Sequence, residues 1–378
     1  MKKRKKNNLG AILVMLGSLL AGGLFGFYLS STAVEQGLGF GDYMWTLLWM
    51  ALGLYLVVFA QIALHELGHL LGGLLSGYGF SSYRLGSFML LKENGKLRLR
   101  RFSIPGTGGQ CLMIPPKPVD GKIPYVLYGL GGVAMNTLVA VVALILWAIL
   151  EKGTMGSVLL MMTAMFGAVL ALSNGLPIRM GNVDNDGRNV LTLKKHPGAM
   201  AHYIHQMQIS DYLTKGYRVK EMPEAWFPKP ELGEMTDSLT ATAGVFAANR
   251  LLDEHRFAEA QAWMEEMLTA DTGMTELHSR LTLSDLLYCL LIGENRPETL
   301  NRWLDAEQKQ FMQVMKKSVS ILRTEYAIAL LLEKNEEKAQ KLLTQFEKQA
   351  KQYPYPQEAQ SERELMELVK TKAQKADK

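Results

Sequence analysis

Cysteine is almost missing from this chain, with two residues, Cys111 and Cys289, among 378. They lie far apart in segments of different character, so a disulfide framework is excluded and both read as free thiols. Strong charge of either sign is missing as well. The formal net charge is +5, too modest to indicate a nucleic-acid partner. Charged residues are also scarce along most of the first half. Residues 9–180 are apolar and glycine-rich, whereas residues 194–378 are rich in Glu, Lys, Gln, Arg and Ala. This unevenness, in a chain of this length, predicts two or three domains.

The apolar half contains four stretches long enough to cross a bilayer, which takes roughly 20 residues. They run over about 9–29, 43–63, 123–150 and 155–175. The first follows "MKKRKK" and exceeds the ~7–15 apolar residues of a signal-peptide core, so residues 1–30 read as a retained membrane anchor. The connection 77–122 carries Arg84, Lys92, Lys96, Arg98, Arg100, Arg101, Lys117 and Lys122, and the other two connections are short and poor in basic residues. By the positive-inside rule, both termini and this connection face the cytoplasm of a multi-pass cell-membrane protein.

Inside the connection, Asn94-Gly95 is a two-residue turn signal and "KLRLR" alternates, which predicts a β-hairpin of Ser82–Lys92 with Lys96–Ile104. The glycines of "PGTGGQCLM" suit a loop that admits close backbone approach, with Gly108 to Cys111 as a candidate substrate clamp. In the charged half, "LLDEHRFAEAQAW" at 251, "LIGENRPETLNRW" at 291 and "LLEKNEEKAQKLL" at 331 stand at offsets of 40 residues. Each has an apolar helical stretch before it and an amphipathic one after a polar turn. Small or apolar residues recur at Ala247, Leu287 and Ala327. This is the pattern of helix-turn-helix repeats, similar to tetratricopeptide-like arrays. "EMPEAWFPKPELGEM" reads as a Pro-interrupted linker, "VKTKAQKADK" as a frayed tail, and His202 and His205 as residues of a surface helix.

The chemistry concentrates at "HELGH", residues 65–69. On a helix, positions i and i+4 share a face, so His65 and His69 can reach one ion, with Glu66 beside them as a proton acceptor. Two imidazoles and a carboxylate suit zinc and leave a position open for water. Ionisable groups inside a spanning helix are costly, which favours a functional over a packing role. A third ligand is expected from "NGLPIRMGNVDNDGRN" at the end of the last span. There Pro177 interrupts the helix, and Asp184 and Asp186 are both candidates.

His-Glu-x-x-His in one span and Asn-x-x-Pro followed by Asp-Gly two spans later, with "GLGGVAMN" between them, resemble the site-2 protease family of intramembrane zinc metalloproteases. The resemblance covers residues 43–190. It implies zinc held by His65, His69 and Asp186, Glu66 as general base, and Asn136 stabilising the reacting carbonyl. It also implies a membrane-embedded strand that receives the substrate backbone. In the family the aspartate stands five residues after the proline. Here Asp184 and Asp186 stand seven and nine after Pro177; Asp186 is preferred because it precedes glycine. No PDZ or CBS module is recognisable.

The expected architecture is therefore mainly α: a polytopic membrane helix bundle of about four spans with a β-hairpin insertion, plus a cytoplasmic α-helical repeat domain. Its parts are an anchor (1–30), a metalloprotease core (43–190, hairpin at 82–104), a linker and helical connection (191–237), repeats (238–368) and a tail (369–378). The expected activity is hydrolysis of peptide bonds within or near transmembrane segments of a membrane-protein substrate in the lipid bilayer, with the repeats recruiting substrate or a cytoplasmic regulator. Two other readings stand beside it. One is an inactive membrane-anchored adaptor with a structural zinc site, which would not need Glu66. The other is a transporter, which the zinc-like polar clusters disfavour.

Overall fold

In the computed structural model, the described residues are 40–376, apart from 94, 104–106, 181–182 and 294–296, plus isolated positions before 40. The expected anchor at 1–30, the turn residue Asn94 and the loop 104–106 thus lie wholly or mostly outside them.

No charged side chain stands between Asp42 and Glu66, and one uninterrupted helix, α1 (Phe40–Leu75), runs to the next turn signal at Ser76-Gly77. Most of its surface is apolar and uncovered: Trp45, Leu48, Trp49, Leu52, Tyr55, Leu56 and Phe59 are all exposed. A helix apolar all round belongs in lipid or in a protein core. Among the described residues, three helices are long and apolar enough to cross a membrane: Met44–Leu75 of α1, α3 (Gly131–Ile149) and α4 (Met155–Gly175). They pack on one another as a bundle. Glycine permits the closest crossing. A Cβ on Gly68 would lie 2.2 Å from the Gly131 carbonyl oxygen, and one on Gly132 would lie 2.5 Å from the His65 ring. The short α2 (Val126–Gly129) precedes α3. α4 ends at Gly175, two residues before Pro177, as proline requires.

The connection after α1 forms a sheet larger than the expected hairpin. Gly86 adopts φ +58° and turns the first predicted strand back on itself. The result is β1 (Gly79–Leu85) and β2 (Phe88–Glu93), followed by β3 (Lys96–Arg101) and β4 (Gly109–Ile114). All neighbours are antiparallel in the order β3-β2-β1-β4, so β4 is an edge strand. The segment read as a clamp loop is therefore the start of a strand, and β4 packs on α1.

A short ribbon, β5 (Arg179–Met180) with β6 (Val183–Asp184), leads into α5 (Asp186–Lys195) and α6 (Ala199–Thr214). The region 191–237 is packed rather than loose: Ile209, Met222 and Phe227 form one buried cluster. α6 is likewise no free surface helix. Ala199, Met200, Ile204 and Met207 are buried, and His202 and His205 are partly covered. Then come α7 (Ser238–Asp253), α8 (Phe257–Thr269), α9 (Glu276–Ile292), α10 (Pro297–Trp303), α11 (Ala306–Val314), α12 (Val319–Ala327) with a π-helical extension (Ile328–Leu332), α13 (Glu336–Ala350) and α14 (Pro356–Ala376). These share one apolar core. The expected frayed tail is helical through Ala376. Leu365, Met366 and Val369 anchor it in that core, and Lys372 donates to the Leu291 and Ile292 carbonyls at the end of α9.

Candidate metal centre

Along α1 the exposed apolar surface gives way to one buried polar stripe. Gln61, His65, Glu66 and His69 are 1%, 9%, 7% and 8% exposed. His65 and His69 stand one turn apart, and their Nε2 atoms lie 3.1 Å from each other. Asp186, the first residue of α5, brings Oδ2 to 3.1 Å from His65 Nε2 and 3.3 Å from His69 Nε2. These three form a group able to hold a metal ion. Ligand atoms on a tetrahedral ion at about 2.0–2.1 Å stand roughly 3.3 Å apart, so the triangle already has the right size.

Both imidazoles are aimed by their other nitrogen. His65 Nδ1 meets Asn136 Oδ1 at 2.5 Å, and His69 Nδ1 meets the Tyr128 carbonyl at 2.8 Å. With both acceptors fixed, Nδ1 carries the proton in each ring, and each Nε2 keeps its lone pair for the ion. Burial disfavours the charge on Asp186; when an imidazole is doubly protonated, its Nε2–H donates to Oδ2, outweighs burial and holds the carboxyl down at about 2.

Asn185 explains how Asp186 reaches this point from a helix end. Its side chain caps α5 by accepting from Arg188 N–H, and it donates to the Ser173 carbonyl at the end of α4. Gly187 is required beside it, because a Cβ there would lie 2.1 Å from the Gly175 carbonyl oxygen. Asn at an N-cap before Asp-Gly is a readable helix-start signal that the sequence analysis passed over. Asp184 stands elsewhere. It is paired with Arg179 at 2.6 Å and Arg188 at 3.1 Å. Arg179 also donates to the Gly273 and Met274 carbonyls, tying the ribbon to the C-terminal helices.

Asn136 is fully buried, and its amide nitrogen donates to Gln61 O at 3.0 Å and Gln61 Oε1 at 2.7 Å. Both hydrogen bonds of the amide nitrogen go to Gln61. In this arrangement Asn136 orients His65. Gln61, which the sequence analysis did not single out, completes the chain by donating to the Thr163 carbonyl of α4. Its position four residues before His65 was the available signal.

Glu66 accepts no hydrogen bond among the described residues. Edge strand β4 runs directly against it: a Cβ on Gly109 would lie 2.5 Å from Glu66 Oε1 and 2.6 Å from its Cγ. Tyr128 Oη donates to the Cys111 carbonyl in the same strand. Cys111 is no nucleophile, since burial and then the Glu66 charge push its thiol up to about 12. No family model, curated protein or solved structure matches this chain.

Proposed function

We propose that this protein is an intramembrane zinc metalloendopeptidase of the site-2 protease type, acting on peptide bonds within or near transmembrane segments of other membrane proteins. One observation carries the reading. Three ligand atoms stand at the separations of a tetrahedral zinc site, while a buried carboxylate that accepts no hydrogen bond among the described residues and the edge of a sheet meet at the same point. A structural zinc site closes with four protein ligands. The group here has three among the described residues, which favours a catalytic site over the adaptor reading.

A bound zinc ion supplies Lewis acidity and lowers the pKa of the attacking water to roughly 7. His65 and His69 present Nε2, and Asp186 presents Oδ2. Glu66 takes the proton as water adds to the scissile carbonyl carbon, then returns it to the leaving amine as the C–N bond breaks. Asn136 and Gln61 keep His65 in the correct tautomer. A transmembrane helix hides its carbonyls in internal hydrogen bonds, so it must first be extended; pairing with β4 does this beside Glu66.

In this reading the 77–122 connection and both termini face the cytoplasm, as its basic residues favour. The helices after residue 238 act there as repeats that recruit substrate or a regulator. Ala247, Leu287 and Ala327, which stand at the 40-residue offset, are all buried. The three aligned segments also each span a junction between helices. Nothing in the charge balance calls for nucleic acid.

The test is to purify wild type, Glu66→Gln and Asp186→Ala in detergent, count zinc per chain and assay single-span membrane proteins for cleavage. Zinc in wild type and Glu66→Gln with cleavage by wild type alone is the expected result. Absence of zinc from refilled wild type, or retained cleavage by Glu66→Gln, refutes the proposal.

A further inference from the structure

Arg84 lies on β1 with 1% of its surface exposed, next to the candidate site. A buried guanidinium normally answers a carboxylate. Here the nearby charge is that of Glu66, with which it makes no direct ion pair, and among the described residues it bonds only to neutral oxygens. It donates to the Gly86 carbonyl at 2.9 Å, to Thr107 Oγ1 at 2.6 Å and to the Gly109 carbonyl at 3.0 Å. Its Nε–H has no partner among the described residues. The three acceptors belong to the turn after β1, to the residues just before β4 and to its first residue.

The position of Gly109 makes this contact consequential. Leu85 opposes Gly109, and Gly86 N–H donates to the Gly108 carbonyl. In such a pair the N–H and C=O of Gly109 point away from β1, toward the side of β4 that no strand pairs. Arg84 therefore grips the outer side of the strand at the residue that touches Glu66. The next outward carbonyl, Cys111, is held by Tyr128. At the far end of the same connection, Phe102 is packed by Tyr353 and Tyr355.

We infer that Arg84 is a positioning residue: it holds the Gly109 end of β4 against Glu66, and so sets the register at which an added substrate strand meets the base. The inference rests on the hydrolytic reading above, but part of its test does not.

The full chain in detergent is compared as wild type, Arg84→Lys, Arg84→Met and Thr107→Val, the last removing one of the three Arg84 acceptors. Five quantities are read: zinc per chain, amide hydrogen exchange across 109–113, kcat and KM on a single-span peptide, and the bond cut, by mass spectrometry. Arg84→Met is expected to keep its zinc and to exchange the β4 amides at least tenfold faster. It should lose about 100-fold in kcat and cut several neighbouring bonds instead of one. Arg84→Lys and Thr107→Val should fall between. Unchanged exchange with the same single bond cut in Arg84→Met overturns the inference. If Arg84→Met fails to fold, Arg84→Lys and Thr107→Val decide by the same readings. If wild type binds zinc but cuts nothing, the hydrolytic reading fails, while exchange in the variants still decides whether Arg84 holds the strand.

Discussion

Gly109→Ala is the sharpest perturbation of the site, because it adds one methyl group and touches no ligand. Its Cβ would stand 2.5 Å from Glu66 Oε1, 2.6 Å from Cγ and 2.9 Å from Cδ. Ordinary carbon contacts begin near 3.5 Å, so the overlap is about 1 Å. Moving the carboxylate tip alone does not relieve it, since Cγ is in the way as well. Either β4 retreats by about 1 Å or Glu66 leaves its rotamer. Both displace the base from the reacting water, and a misplacement of that size costs ~10²-fold in rate, or about 2.7 kcal/mol in the barrier. His65, His69 and Asp186 lie outside the clash, so metal content should stay at the wild-type value. Gly108→Ala is the matched control. Its Cβ meets the Ile62 side chain, with the flexible Cδ1 nearest at 2.9 Å, and a rotamer change should absorb it with less than a fivefold loss. Zinc per chain and initial cleavage rates of the three proteins, measured together, make the comparison. Equal rates for Gly109→Ala and wild type would mean that β4 does not press on Glu66, and the role given to the edge strand would fall.

Asp184→Asn should leave zinc binding unchanged, whereas Asp186→Asn should weaken it beyond detection in an equilibrium competition with a chelator. Asn136→Leu removes the acceptor that orients His65 and should cost 10–100-fold in zinc affinity by the same competition. In the C-terminal helices, Arg323 is 1% exposed between Asp285 at 2.5 Å and Glu362 at 2.8 Å. Arg323→Met strands two buried carboxylates and should destabilise those helices by ~3–5 kcal/mol in denaturant unfolding; a loss under 1 kcal/mol would contradict the buried network. Burial, then the Glu362 charge, pushes the Glu358 carboxyl up to about 7 from its ordinary 4.5. A folded value above the unfolded one means that protonation favours the fold. The stabilisation is complete below about 4.5 and is lost as pH rises through about 7. The melting temperature should therefore be higher at pH 5 than at pH 8, and Glu358→Gln should flatten that difference; an unchanged slope in the variant would refute the assignment.

Local chemistry made much of the candidate site legible. His65, Glu66 and His69 are four residues apart or fewer, and helical periodicity alone puts the imidazoles on one face. The choice between Asp184 and Asp186 was not legible in the same way. Both lie in one short segment, and they part because Arg179 and Arg188 claim Asp184 while the Asn185 cap aims Asp186 inward. Gln61 and the Asn136 hydrogen bonds were hidden for a related reason: they join residues 75 positions apart. The hairpin was half read. Gly86-Ser87 carries its own turn signal, but the apolar run on both sides of it looked continuous. The glycines of β4 were legible as sites of close backbone approach, which Gly109 provides beside Glu66, but not as the start of a strand, because its pairing partner β1 lies about 25 residues away.

The sequence by itself determined the apolar helices, the His-Glu-x-x-His face and the division into an apolar and a charged half. Each of these is a property of neighbouring residues and of transfer from water, and needs no partner to be defined. Only the tertiary structure decided which aspartate joins the histidines, what Asn136 bonds to, that β4 is an edge strand against Glu66, and that the tail is anchored. Those outcomes depend on which distant groups compete for the same donor, acceptor or space, and that competition is settled only when the chain packs.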